Sequence, residues 1–358
     1  MTELAQLVRT GRIIITAGSG GVGKTTTAAV LAMEAARAGR RAVVVTIDPA
    51  KRLADALGLS DGLSNEPRRI DGDWDGELWA MMLDTKSTFD AVVAKHAETP
   101  EQAARIHENR FYRNISGALS GTQEYMAAEK LYELHEESKF DLVVVDTPPT
   151  RNALDFLDAP DRLSRFLDHR LYRLLMAPTR GFVRAVNVAT QAFLRTVSRV
   201  VGSDVLDDAV AFFRAFDGME EGFRERAARV GQLLVDPATA FVLVASPRRD
   251  AVAEATYFAD RLAETDIGVQ ALVVNRMHPR FSRRRSTQVA ERAAELAETP
   301  LAPFARALAD FDIAADREHH HLSDLTRAVY PAPVVQVPIL ESDVHDVEGL
   351  EKLATHML

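Results

Sequence analysis

The chain of 358 residues contains no cysteine. Disulfide bonds, thiolate zinc sites and cysteine nucleophiles are therefore all excluded. No apolar run approaches the roughly 18–20 residues that a helix needs to span a bilayer, and the first residues lack the basic and apolar segments of a secretory signal. We therefore predict a cytoplasmic protein that meets a membrane at most peripherally.

An excess of positive charge is also missing, since the formal net charge is −9 at pH 7. This balance argues against a general nucleic-acid binder, so we expect no nucleic-acid partner. The hydrophobic content of 47% is enough, in a chain of this length, for one large α/β core or two modest ones.

Short apolar runs alternate with long helical stretches, which is typical of a parallel sheet covered by helices on both faces. The predicted strands are 12–17, 42–47, 78–83, 142–145, 241–245, 271–275 and 334–337. The connections on either side of strand 142–145 are too long for simple crossovers and have helical periodicity. We predict one α/β domain over residues 1–358. Its parallel-sheet core comprises 10–86, 137–150 and 237–358, and its inserted helical subdomain comprises 87–136 and 151–236.

The most informative segment is GSGGVGKTT at 18–26, between an apolar run and a helix-forming stretch. It matches the P-loop pattern G-x-x-x-x-G-K-T in the strand–loop–helix context that the pattern requires. Backbone N–H groups of such a loop surround a β-phosphate, and the helix adds the positive end of its dipole. A bland glycine-rich turn is the alternative. The predicted nucleotide-binding residues are Gly20, Gly21, Val22, Gly23, Lys24, Thr25 and Thr26, with ATP and Mg²⁺ as cofactors and Thr25 as a metal ligand.

Polar residues end three later strands. Asp48 lies at the carboxyl end of the second strand, where it would orient the attacking water; a solvated Asp-Pro turn is the alternative. Asp146 ends an apolar run and fits a Walker B acid near Mg²⁺. Asn275 offers a donor and an acceptor that suit an adenine edge, although such residues are usually turn formers.

Together these segments resemble the ArsA-type ATPases, a family that includes the arsenite-pump ATPase and the targeting ATPase for tail-anchored membrane proteins. The resemblance rests on GGVGKTT at 20–26, TIDPA at 46–50, DTPPT at 146–150 and VVN at 273–275. It covers most of the chain and implies a P-loop ATPase that works as a dimer, opening and closing around nucleotide. It further implies that Lys24 and Asp48 are catalytic, that Thr25 and Asp146 hold Mg²⁺, and that Asn275, Pro338 and Ile339 contact adenine.

The chain departs from the family at Ser19, where its relatives carry a lysine that reaches the partner's phosphates across the dimer. A serine is short and neutral, so another group must supply this charge. Either a nearby cation substitutes, such as Lys51, Arg52 or Arg151, or the lysine comes from a different subunit. We therefore consider both a homodimer and a heterodimer with a lysine-bearing paralogue. The absence of cysteine disfavours arsenite transport.

What the helical insert binds is left open by the sequence. Residues 171–203 carry five arginines and no acidic residue, with Phe182 and Phe193 among apolar residues at helical spacing. This pattern fits a groove for a hydrophobic client helix or a contact with anionic lipid, and an internal core is the alternative. The aromatic residues at 212–223 are more typical of core.

Three functions remain compatible with the sequence. The first is Mg²⁺-dependent ATP hydrolysis coupled to capture and release of a hydrophobic or membrane-associated client. The second is a spatial regulator resembling the MinD/ParA group, and the third is a weakly hydrolysing regulatory subunit of a heterodimeric ATPase. The short C-terminus is not basic and would make a poor membrane anchor, which disfavours the second function.

Overall fold

A computed structural model describes residues 2–48, 50–115, 122–136, 139–148, 150–168 and 203–358. It divides into two compact units. The first comprises Met1–Met82, Glu137–Leu154 and Pro237–Leu358, and the second comprises Leu83–Glu136 and Asp155–Asp236. The predicted organisation into one domain with an inserted subdomain stays a prediction.

The first unit is built on an eight-stranded sheet. Its strands are β1 (Ile13–Ala17), β2 (Arg41–Thr46), β3 (Arg68–Ile70), β4 (Glu77–Met82), β5 (Leu142–Asp146), β6 (Thr239–Ala245), β7 (Val269–Met277) and β8 (Val334–Pro338). The order across the sheet is β3-β4-β2-β5-β1-β6-β7-β8. Every neighbouring pair is parallel except β3 with β4. The predicted α/β fold with a parallel sheet is thereby confirmed.

A strand lies at each of the seven predicted positions, whereas β3 is absent from the prediction. It has only three residues, two of them exposed arginines, and pairs antiparallel with β4 at the edge of the sheet. A segment this short and polar carries no alternating pattern from which a strand could be recognised.

Helices cover the sheet and form the second unit. They are α1 (Glu3–Thr10), α2 (Lys24–Arg37), α3 (Arg52–Ala56), α4 (Thr85–His96), α5 (Pro100–Glu108), α6 (Arg110–Ile115), α7 (Thr122–Glu136), α8 (Thr150–Asp168), α9 (Ser203–Ala215), α10 (Glu220–Leu234), α11 (Arg249–Ala263), α12 (Ser286–Glu295), α13 (Ala302–His321), α14 (Ser323–Ala328) and α15 (Val347–Met357). The P-loop helix α2 is buried along most of its length, because its many alanines let it approach the sheet closely.

The second unit has its own apolar core, in which the predicted aromatic run takes part. Phe212, Phe213, Phe216 and Phe223 are all buried and contact one another in pairs with ring centroids 4.8–5.6 Å apart. The interpretation of this run as core is confirmed. Of the basic and apolar stretch at 171–203, only its last residue is described, so the groove predicted around Phe182 and Phe193 lies outside the described residues.

The second unit also contains a buried ion pair between helices α7 and α10. Arg226 lies 2.7 Å from a carboxylate oxygen of Glu129, and its guanidinium stands 3.9 Å from the ring centroid of Tyr132. A buried charge is tolerated when it is paired and hydrogen-bonded, as it is here. In the part of the chain that the structure describes, no helix combines the length and the apolar content that crossing a membrane requires.

Candidate functional site

The P-loop connects β1 to α2, and two of its glycines are required by close contacts. A Cβ atom on Gly18 would lie 2.0 Å from the carbonyl oxygen of Val244 on β6. Gly23 has a φ of +99° and precedes the first residue of α2, and a Cβ there would lie 2.3 Å from Nδ2 of Asn275. Any other residue at these positions would push the loop away from β6 and β7.

Lys24 is the first residue of α2 and is 8% exposed. Its Nζ donates a hydrogen bond to the carbonyl oxygen of Ser19 at 2.9 Å, so the side chain lies back along the loop. Burial lowers the pKa of the Lys24 ammonium, and the nearby carboxylate of Asp146 acts in the opposite direction. The arrangement holds one cation against the concave face of the loop, where a phosphate would bind.

Asp146 ends β5 and brings the P-loop and the sheet together. Its Oδ2 accepts hydrogen bonds from the hydroxyl of Thr25 at 2.7 Å and from that of Thr46 at 2.9 Å. Its Oδ1 is buried and has no hydrogen-bond partner. Burial raises the pKa of the Asp146 carboxyl to about 6, against the two hydroxyl bonds that lower it. An unsatisfied buried carboxylate oxygen is unusual in a protein and indicates a place for a ligand.

Thr25 and Asp146 fit the Mg²⁺ ion that the sequence predicts. A hydroxyl and a carboxylate are the hard oxygen ligands that this ion prefers, and the free Oδ1 supplies an acceptor without a competing donor. When bound, Mg²⁺ would neutralise charge on the phosphate oxygens. Thr46 belongs to the same cluster but was not predicted. Its position at the end of β2, in register with Asp146 on β5, is the signal that could have identified it.

We expect Asp146→Asn to stabilise the protein when nucleotide and metal are absent. The raised pKa means that the folded chain favours the neutral carboxyl. That contribution to stability is present below the unfolded pKa and is lost as pH rises through about 6. The variant should therefore gain about 3 kcal/mol near pH 7.5 and roughly half of that at pH 5. Denaturant unfolding of both proteins at the two pH values measures the gain.

The titrating groups that do not face Asp146 contribute equally to the two proteins. Lys24 is the exception, because the Asp146 carboxylate raises the pKa of its ammonium. The exposed aspartate Asp61 provides a control, because Asp61→Asn should leave the unfolding free energy nearly unchanged at both pH values. An Asp146→Asn gain that does not shrink at pH 5 would show that the carboxyl is ionised without penalty in the folded chain.

Asp48 lies just beyond β2 and beside the same loop. Its Oδ1 accepts a hydrogen bond from the backbone N–H of Ala50 at 2.9 Å, and its Oδ2 lies 3.3 Å from a guanidinium nitrogen of Arg52. The alternative of a solvated Asp-Pro turn stays untested, because Pro49 lies outside the described residues. The carboxylate nevertheless lines the cavity above the P-loop. This position is compatible with the water-orienting role, which stays a prediction.

Among the described residues of the first unit, the P-loop borders two cavities. One, of about 320 Å³, is lined by Gly21, Gly23, Lys24, Thr25, Thr26, Asp48, Arg52, Asp55, Ala56, Thr147, Arg276 and Val344. The other, of about 430 Å³, includes Ser19, Gly20, Gly21, Ser246, Arg248, Arg276, His278 and Glu318 in its lining. Gly21 and Arg276 line both. The structure thus brings together the P-loop and Asp48, and it adds Arg276, which was not predicted.

Asn275 contacts the P-loop directly. Its Nδ2 donates to the carbonyl oxygen of Val22 at 3.1 Å, and its Oδ1 accepts from the backbone N–H of Arg276 at 2.9 Å. These bonds tie the end of β7 to the loop. The structure does not bring Pro338 or Ile339 into either cavity lining; Pro338 ends β8, and the N–H of Ile339 donates to the carbonyl oxygen of Met277 at 2.9 Å. The adenine contacts of all three remain predictions.

The predicted substitutes for the absent lysine differ in their surroundings. Arg52 lines the first cavity but is paired with Asp48, and Lys51 immediately precedes α3. The side chain of Arg151 lies outside the described residues. Ser19 itself is 6% exposed and its hydroxyl has no hydrogen-bond partner. The side chain at position 19 is therefore neutral and supplies no cation to the P-loop.

Comparison with known proteins agrees with this geometry. The family model described as anion-transporting ATPase matches residues 11–298. A protein of Aquifex aeolicus named as an arsenical pump-driving ATPase is 23% identical over 349 residues, covering 96% of this chain and 78% of the relative. ATPase get3 of Aspergillus terreus is 31% identical over 160 residues, which cover 44% of this chain and 46% of the relative. ATPase GET3 of Podospora anserina is 24% identical over 271 residues, which cover 75% of this chain and 74% of the relative.

Proposed function

The chain belongs to the anion-transporting ATPase family, the ArsA-type ATPases that its motifs resemble, and on that basis we propose how its site works. Its enzyme class is that of an ATP hydrolase. We propose that it binds ATP with Mg²⁺ and couples hydrolysis to opening and closing of a dimer that holds a hydrophobic or membrane-associated client. The observation that carries the proposal is the hydrogen bond between Thr25 of the P-loop and Asp146 of β5.

The chemistry would be divided among few residues. P-loop N–H groups and Lys24 would hold the β- and γ-phosphates, while Thr25 and Asp146 would hold Mg²⁺. Asp48 would orient the water that attacks the γ-phosphate, because its carboxylate shares a cavity with Lys24 and Thr25. The test is phosphate release by the purified chain with Mg²⁺-ATP. The proposal is refuted if phosphate release does not depend on Mg²⁺, or if Asp48→Asn releases phosphate as fast as the parent chain.

A nucleotide-dependent dimer is the first consequence of this proposal. We expect a non-hydrolysable ATP analogue with Mg²⁺ to yield a species of twice the 39.4 kDa of one chain. Closure around two triphosphates would bury surface that stays open in their absence. Chromatography with light scattering, with and without analogue, measures the mass directly. Lys24→Met is the matched control, because it should abolish any analogue-driven change in mass.

A chain that stays at one subunit's mass in every nucleotide state would contradict the homodimer. The heterodimer would then predict a larger species only after a lysine-bearing paralogue is added. If neither addition changes the mass, dimer cycling is refuted.

Support for the client comes from the relatives named GET3, whose family this chain shares. A probe is a tagged peptide with about 20 apolar residues, the length of a membrane-spanning helix. We infer that the chain binds this probe and releases it in step with nucleotide turnover. The same peptide with two central lysines is the control, since it keeps the length but loses the apolar surface. Equal recovery of both peptides, or recovery unaffected by nucleotide, would refute client binding.

One observation favours a second candidate, the weakly hydrolysing regulatory subunit. Ser19 provides no cation at the position where the family's lysine would act. This candidate predicts that the chain binds ATP but alone releases phosphate no faster than Asp48→Asn. Faster release by the isolated parent chain would exclude it.

A further inference from the structure

Arg276, which lines both cavities beside the P-loop, has a backbone conformation that is rare for a residue with a Cβ atom. Its φ is +61°, in the left-handed region that side chains with a Cβ rarely occupy. The conformation is held by Asn275, whose Oδ1 accepts the N–H of Arg276 while its Nδ2 binds the carbonyl oxygen of Val22. Backbone of this kind clusters at functional sites, where the surrounding structure holds it in place.

The strained position places the arginine between the two cavities. Arg276 lines the cavity that contains Lys24 and Asp48, and it also lines the cavity that contains Ser19 and Gly20. Arg276 is an exposed residue. Because it lines the same cavity as Lys24 and Thr25, its positive charge lies beside the space where the P-loop would hold an anion.

The charge of Arg276 has no acidic partner among the residues that the structure describes. Two acids that line the second cavity pair with other residues: Asp250 lies 2.9 Å from Arg248, and Glu318 lies 2.6 Å from Nδ1 of His278. The third, Glu254, lies near enough to Lys24 to raise the pKa of its ammonium. In the first cavity, Asp48 faces Arg52, and the other acid of the lining, Asp55, forms no ion pair with Arg276 among the described residues. An arginine without a partner beside a phosphate-binding loop is suited to a ligand that brings its own negative charge.

A triphosphate would bring more negative charge than Lys24 can neutralise alone. Lys24 is drawn against the carbonyl oxygen of Ser19, and Ser19 contributes no charge. An arginine fork can bind two oxygens of one phosphate at once. Such a contact would also stabilise the charge that develops on the transferred group during hydrolysis.

We propose that Arg276 binds the terminal phosphate of ATP held by its own chain and so serves as a catalytic cation in cis. The inference rests on the proposed ATP-binding function. It assigns to the end of β7 a contact that distinguishes ATP from ADP, because only ATP carries the phosphate that Arg276 would bind.

The test compares binding of ADP and of a β,γ-imido ATP analogue, both with Mg²⁺, by calorimetry. In Arg276→Gln we expect the analogue to bind at least tenfold more weakly, while ADP affinity changes less than threefold. Phosphate release should fall at least thirtyfold. Arg276→Lys keeps the positive charge but lacks the guanidinium fork. Its analogue affinity and its rate of phosphate release should lie between those of the parent and of Arg276→Gln.

Two controls separate the contact from folding. Arg276→Asn removes the charge but tolerates the left-handed conformation, so it should reproduce the binding loss at a Tm no lower than that of the parent. Arg280→Gln changes an exposed arginine that pairs with Asp316 at 3.1 Å, and should alter neither affinity nor rate more than twofold.

Binding also separates this inference from the proposed function. If the parent chain binds both nucleotides but releases no phosphate, the hydrolase proposal fails and the ratio of affinities still decides the role of Arg276. Equal weakening of ADP and analogue in Arg276→Gln, or no weakening of either, would overturn the inference.

Discussion

Lys24→Met should lower phosphate release from ATP by roughly 10²–10³-fold, which is the effect of removing one preorganised charge from a phosphate-transfer site. Methionine has nearly the length of lysine and fills the same buried space, but it cannot donate to the β- and γ-oxygens. Affinity for the ATP analogue should fall as well, because the ammonium that lies against Ser19 would otherwise turn to the phosphates. Steady-state phosphate release and calorimetry measure the two effects.

We expect Lys24→Met to fold as well as the parent, because Lys24 is only 8% exposed and a buried ammonium is costly whereas a buried thioether is not. We therefore expect the Tm of Lys24→Met to equal or exceed that of the parent. The control is Lys352→Met on α15, an exposed lysine paired with Glu348 at 2.8 Å, which should leave rate and affinity unchanged. A Lys24→Met protein with near-parental activity would remove Lys24 from the mechanism.

Asp48→Asn should have a large effect of a different kind. We expect phosphate release to fall by about 10²–10⁴-fold, the range typical of losing a positioned proton acceptor. Nucleotide affinity should change less than about threefold, because an amide keeps the shape of the carboxylate and its acceptor for the N–H of Ala50. Single-turnover hydrolysis and equilibrium binding separate the two quantities.

The matched control is again Asp61→Asn, since Asp61 is exposed and its contact to Arg68 is long, at 3.9 Å. A fall in affinity that parallels the fall in rate would indicate that Asp48 acts by arranging Arg52 and the cavity wall. In that case the water-orienting role would be refuted.

The parts of the fold that could be predicted are those with a strong local pattern. The buried strands are almost continuously apolar, and the P-loop has fixed glycines whose spacing follows from the loop's own geometry. The strand β3 could not be predicted, because a polar strand of three residues is defined by its pairing with β4 and not by its own sequence.

The site was predictable to a similar extent. Asp146 and Thr25 belong to recognisable motifs, and the structure joins them by a hydrogen bond of 2.7 Å. Thr46 joins the site because it lies in register with Asp146 on the neighbouring strand, and Arg276 is distinguished by its positive φ. Neither property can be read from the sequence of one strand alone. The side chain of Asn275 offers a donor and an acceptor, and within the protein its Nδ2 binds the carbonyl oxygen of Val22 and its Oδ1 binds the N–H of Arg276.

The two borders of the sheet have a consequence for how the chain behaves among its own copies. On one side, β3 presents two exposed arginines along a strand of only three residues. On the other side, β8 ends in Pro338, which has no N–H to offer. Short, charged or proline-terminated borders discourage strand addition by another molecule. The two edge strands thereby protect a sheet with apolar inner strands from edge-to-edge aggregation.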